Sequence, residues 1–169
     1  MFSPGRFLTS TIQSHARRDS ILRIVASAFQ AADARKATTK FLRKNPLPRA
    51  QRVYALGLGK AAPAMTSSIA DSVHLTDSLI ITKHASPLTF ERVTAFEGNH
   101  PIPGEKSLAA GRAARKFISR LTPDDLLICL LSGGGSALMA EPLIPLAELQ
   151  ALTSALLASG ATIHEVNTV

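Results

Sequence analysis

Residues 126–139 read LLICLLSGGGSALM: six apolar residues, a serine, three consecutive glycines and a second serine. A continuous apolar run of this length suits a strand covered on both faces, as in a parallel sheet between helices. Glycine loses more backbone freedom on folding than any other residue. Three in a row therefore imply a turn that other residues cannot make, or a ligand that must come close to the backbone. The pair of features predicts a strand over 124–132, buried on both faces, that runs into a binding loop.

The rest of the chain repeats the pattern of short strand, loop and helix. RVYALGLGK (52–60) and SLIITKH (78–84) read as strands, and RVTAFEGNHPIPGE (92–105) as a short strand with a proline-rich loop. Helical spacing occupies 61–73, where Pro63 is tolerated only in a first turn. It returns over 106–121, with Leu108, Phe117, Ile118 and Leu121 inward, and over 145–160, closed by Gly160 as a C-cap. A further helix opens within ATIHEVNTV (161–169). Strands alternating with helices predict an α/β layered domain with a mostly parallel sheet. Ahead of it, one helix is predicted over 19–42 with Ile21, Leu22, Val25, Phe29 and Ala32 on one face, then a proline linker at 45–51. The domain reading is a basic segment at 1–18, disordered or targeting, followed by one domain over 19–169.

Charge is unevenly spread. Up to Arg52 there are 11 Lys and Arg against 2 acids, and 8 against 10 thereafter. The basic excess thus lies outside the part that carries the triple glycine. It reads as a solvated basic helix, or as an organelle-targeting leader, since MFSPGRFLTSTIQSHARR holds three arginines and no acid. Nucleic-acid binding would want aromatic or Gly-Arg interleaving, which is absent. No apolar stretch approaches a membrane span. The single cysteine, Cys129, sits inside the apolar run; it excludes an intramolecular disulfide and fits a reducing compartment. The expected location is cytoplasmic, with a mitochondrial one as the alternative.

Two glycine loops follow strands: GLGKAA (57–62) and SGGGSA (132–137). In parallel sheets ligands bind beyond the carboxyl ends of the strands, so two such loops sharing one crevice could cradle phosphate. The first fails the Walker pattern, because Tyr54 stands five before Gly59 and Ala61 follows Lys60. It does match G-x-G-x-x-A at Gly57, Gly59 and Ala62. A dinucleotide site would also want an acid at the end of the next strand to hold a ribose; that strand ends in ITKH, and Asp77 stands before it. Lys60 at a helix start opposes the dipole, which points either to a lysine reaching solvent or to an ammonium aimed at a phosphoryl group.

GLGKAAPAM (57–65), EGNHPIPGEKSLAAGRAA (97–114), LLSGGGSALMAEP (130–142) and LLASGATIHEVNTV (156–169) together resemble the glycerate 2-kinases of the MOFRL-containing group, older members of which were labelled hydroxypyruvate reductases. The resemblance implies phosphorylation of D-glycerate at the 2-hydroxyl by ATP with Mg²⁺, on a Rossmann-like domain with the site between two domains. It implies that Lys60 stabilises the transferring phosphoryl group, that Gly57, Gly59, Ser132, Gly133, Gly134, Gly135 and Ser136 bind phosphate or substrate, and that Asn167 faces the cleft. No residue is implied as a metal ligand. His100, in the NHP turn, reads best as a turn histidine bonded to backbone; no role is assigned to His84. The family's C-terminal domain is not in this sequence. The chain therefore reads as the N-terminal portion of such an enzyme, inactive alone, with a complementary C-terminal half as a candidate partner. The rival readings are an NAD(P)-linked hydroxypyruvate reductase and a non-catalytic truncated product.

Overall fold

The computed structural model describes residues 3–85, 88, 90–166 and 168. The chain divides into two compact units, Met1–Leu47 and Pro48–Val169, at the proline linker.

The first unit is helical. After a 3₁₀ turn at Pro4–Phe7 come α1 (Ser10–Gln13), α2 (Arg18–Ala31) and α3 (Ala34–Lys44). The single helix expected over 19–42 is two helices. Asp33 adopts an extended conformation (φ −64°, ψ 113°), and its carboxylate accepts the Lys36 amide, so it caps α3 and ends α2. A short polar side chain that competes for backbone amides favours such a position over a helix interior. The inward face of α2 is narrower than expected. Leu22 and Ala26 are buried, whereas Phe29 is half exposed and stacks on Phe7 with ring centroids 4.8 Å apart.

The second unit runs β1 (Arg52–Leu58), α4 (Ala62–Ala70), β2 (Asp77–Thr82), β3 (Val93–Glu97), α5 (Glu105–Ile118), β4 (Asp125–Leu131), α6 (Gly135–Leu138), α7 (Leu146–Ala158) and α8 (Ile163–Val166). The strands form one sheet in the order β3-β2-β1-β4, every pair parallel, so the α/β reading holds. All four carboxyl ends therefore lie along one edge. Alternate residues of the central strands feed opposite faces. Tyr54, Leu56, Leu79 and Ile81 pack with Ala110, Ala114 and Phe117 of α5 and Leu138 of α6. On the other face the backbone of Gly57 lies against Ala62 and Thr66 of α4.

Two expectations change. The buried face of α5 is Ser107, Ala110, Gly111, Ala114 and Phe117, while Ile118 is exposed. Small residues let this helix approach closely; a Cβ on Gly111 would collide with the backbone of Ala140. Secondly, β4 is not buried on both faces. Among the described residues it is an edge strand paired only with β1; Cys129 is exposed and Leu131 is 68% exposed. No residue of α7 is buried, so that helix does not cover the strand as the apolar run suggested.

Candidate functional site

The loops leaving β1 and β4 are stitched together by short hydrogen bonds. The Lys60 amide donates to the Gly133 carbonyl (3.1 Å), and the Ser132 amide to the Leu58 carbonyl (2.9 Å). The Ser132 hydroxyl accepts the Ala61 amide (3.0 Å) and donates to the Leu58 carbonyl (3.3 Å). The Gly59 amide donates across to Ile81 of β2 (2.9 Å). The donors of the first loop are thus engaged inside the protein.

The glycines divide by role. A Cβ on Gly59, whose φ is +112°, would run into Ser132, and one on Gly57 would lie 2.7 Å from Thr66 Oγ1. Both glycines permit close packing: loop on loop in one case, strand on helix in the other. Gly133, Gly134, Gly135 and Ser136 differ, because their amides donate to no described residue. Gly133 and Ser136 are exposed, and Gly134 takes the left-handed conformation, φ 94° and ψ 1°. Successive free amides at such a turn form a concavity that suits an anion.

Two side chains flank it. A Cβ on Gly134 would sit 3.3 Å from His100 Cδ2, 3.4 Å from His100 Nε2 and 3.4 Å from Lys60 Cε. Lys60 is exposed. Burial, then the positive charges of Lys60 and Lys83, hold His100 below the ordinary imidazole value; a hydrogen bond within its own residue opposes this. His100 follows β3 and Lys83 follows β2, so groups from all four strand ends meet at one edge of the sheet.

Ser107, at the start of α5, was not legible as a site residue. Fully buried, it donates to the Ala137 carbonyl (2.7 Å) and accepts the amides of Asn99 (3.0 Å) and Gly104 (3.3 Å). It ties the turn that holds His100 to the glycine loop. The available signal was a serine three residues after Gly104 at a helix start, a position suited to bonding back to the N-cap amide. Nearby, Glu97 accepts the Ala85 amide (3.1 Å) and pairs with Lys106 (3.1 Å).

The structure thus brings together Lys60 and residues 132–136, and places Gly57 and Gly59 beneath them as packing positions. Asn167 lies outside the described residues. Asp77, at the opposite end of β2, is bound to Arg120 at 2.8 Å. Among the described residues no group of three His, Cys, Asp or Glu could hold a metal ion. A groove of about 440 Å³ beside α5, floored by Ala114, Ile118 and Met139, shares no residue with this cluster. No described helix is long and apolar enough to cross a membrane.

Residues 20–169 match a family described as "Domain of unknown function (DUF4147)". A glycerate 2-kinase from Pyrococcus horikoshii is 36% identical over 163 residues, covering 90% of this chain and 37% of its own length. A protein from Agrobacterium vitis that carries hydroxypyruvate reductase in its name is 35% identical, covering 90% of this chain and 35% of its own length. The crystal structure of a glycerate kinase from Thermotoga maritima superposes with a TM-score of 0.76 at 34% identity, covering 87% of this chain and 36% of that one. The chain therefore spans a little over a third of the length of these relatives.

Proposed function

We propose, starting from the fact that this chain belongs to the DUF4147 family, that it supplies the phosphate-holding part of a glycerate 2-kinase, an enzyme passing the γ-phosphoryl group of ATP to the 2-hydroxyl of D-glycerate. The observation that carries the reading is the convergence of Lys60 with the unengaged amides of residues 133–136 at the carboxyl ends of β1 and β4. Phosphoryl transfer asks little covalent chemistry of a protein; it asks for position and for neutralised charge. The backbone amides of Gly133, Gly134, Gly135 and Ser136 hold the phosphate oxygens. The Lys60 ammonium lies at the rim of that cradle, where charge shifts as the phosphoryl group leaves. Ser132 keeps the two loops in register, and Gly57 and Gly59 allow the packing beneath them. Asn167 belongs to the same cleft in this reading.

Mg²⁺ accompanies ATP in such chemistry. Among the described residues no group of three or more His, Cys, Asp or Glu is gathered to hold it. The same reading puts the protein in the cytoplasm and pairs it with a polypeptide region corresponding to the part of its relatives that the chain does not span.

The reductase alternative keeps one favourable feature, the G-x-G-x-x-A match. Against it, Ser132 fills the space beside Gly59 where a pyrophosphate would have to approach. Residues 83 and 84, after β2, are Lys and His rather than a ribose-binding acid. Titrating the chain with ATP, ADP and NADH while following the amides of residues 133–136 tests the proposal. ATP and ADP are expected to shift those amides; tight NADH binding without a response to ATP overturns the kinase reading.

A further inference from the structure

We propose that His100 completes the anion subsite as a side-chain ligand beside Lys60 and Lys83, and takes up a proton more readily when an oxyanion fills it. This inference rests on the phosphate cradle proposed above, and goes further by giving that cradle a proton-coupled ligand.

Three observations support it. The first is place. The carboxyl ends of β1 and β3 deliver Lys60 and His100 to the turn that follows β4, and Lys83, just after β2, acts on His100. Gly134 has no side chain, and the space a Cβ would use is bounded by His100 Nε2 and Cδ2 and by Lys60 Cε at 3.3–3.4 Å. One edge of the ring therefore faces the backbone that carries the free amides. The second is bonding. The ring makes no hydrogen bond to any other described residue, and the only such bond that it feels is within its own residue. The turn is held by Ser107 and Asn99 instead, through the Asn99 and Gly104 amides on Ser107 Oγ and the Lys106 amide on Asn99 Oδ1. The imidazole is not what keeps the turn together.

The third is charge. The groups that act on His100 are the two lysines, both positive. Glu97, three residues before it, is held by the Ala85 amide and by Lys106, and His84 acts on Glu97. Burial first, and then the two lysines with no described carboxylate acting on the ring to balance them, make it shed its proton more readily than an ordinary imidazole. An oxyanion between them reverses the sign of the local field. Proton uptake and anion binding then favour each other, and the coupling is reciprocal: whatever factor the anion adds to proton affinity, the proton adds to anion affinity. The direction follows. In the empty site the midpoint lies below the ordinary 6.5, so the ring is neutral at pH 7. Affinity for the anion rises as pH falls from neutral and levels off below the empty-site midpoint.

Sulfate is the probe, because it keeps its charge across the whole range, with chloride at equal ionic strength as the control. Proton NMR of the full chain follows the imidazole signals from pH 8 to pH 5. Saturating sulfate is expected to raise the His100 midpoint by about one pH unit. Sulfate affinity is then expected to rise about tenfold towards the acid plateau, and His100→Gln to flatten that dependence. Sulfate shifting the amides of residues 133–136 while the His100 midpoint stays still overturns the inference and leaves the cradle standing. No response of those amides to sulfate or to ATP at any pH overturns both. The midpoint is read on the parent chain, so the result is decided even where His100→Gln does not fold.

Discussion

Gly134 and Gly160 share a left-handed backbone, with φ of +94° and +74°, yet only Gly134 faces other groups. A side chain at either position strains the backbone by about 1–2 kcal/mol. At Gly134 it would also meet His100 and Lys60 and fill the mouth of the free-amide turn. Gly134→Val is therefore expected to lose ATP-induced shifts at residues 133–136, whereas Gly160→Val shows a comparable loss of stability and keeps them. Equal binding by both variants, read by titration calorimetry, would reduce the triple glycine to a structural turn. Lys60 stands differently. Its side chain is exposed, so Lys60→Ala is expected to leave the thermal midpoint within a few degrees of the parent's and to weaken ATP binding; unchanged ATP affinity would make it a surface lysine. Lys60 and the triple glycine were both legible as site candidates, because a strand end next to glycine is a local pattern. Ser107 was not, since its importance comes from Ala137, which is 30 residues away.

Among the elements, α5 shows how a modest side chain can organise a site. Apart from Phe117 near its end, its buried face is made of serine, alanine and glycine, which brings the helix start against both the NHP turn and the glycine loop. Ser107→Ala would leave the Asn99 and Gly104 amides and the Ala137 carbonyl without their partner. Loss of buried hydrogen bonds of this kind costs about 1–3 kcal/mol. The expected readout is a lower chemical-denaturation midpoint together with amide shifts at both 99–104 and 133–137. A stability loss with no change at 133–137 would separate α5 from the loop. Burial also ranks the elements. The central strands β1 and β2 carry the core, while α7 buries nothing. Native-state hydrogen exchange should accordingly be slowest in 54–57 and 78–82 and fast across 146–158; protection of α7 equal to that of β1 would contradict this ranking.

At the scale of the whole molecule, carboxylates set the acid limit of the second unit. The Thr122 amide and the Arg52 guanidinium hold Asp125 below the usual carboxylate range, with Arg52 bonded to both oxygens at 2.7 and 2.9 Å. The Ala85 amide and Lys106 do the same for Glu97. A carboxylate whose folded value is depressed stabilises the fold above its unfolded value and loses that contribution as pH falls through the folded one. Stability should therefore be level from neutral pH down to about 5 and drop below about 4. Asp125→Asn is expected to be less stable at pH 7 and to show a shallower acid decline in thermal melts. A variant that melts like the parent at every pH would show that the pair is not coupled to folding.

Much of this protein was determined by sequence alone. Alternating strands and helices pointed to an α/β layered fold with a parallel sheet, and parallel strands pointed to their carboxyl ends as the place for a candidate site. These follow from periodicity and turn chemistry, which act over a few residues. The tertiary structure decided what depends on distant neighbours. It made β4 an edge strand although its composition suits a buried one, because strand order is not written in any one strand. It split the N-terminal helix at Asp33, where a capping carboxylate outweighed the continuing apolar spacing. It engaged the amides of the first glycine loop and left those of residues 133–136 without a described partner. It also set Lys60 and His100 against Gly134, since only the lateral order of the sheet brings together strand ends so far apart in the chain.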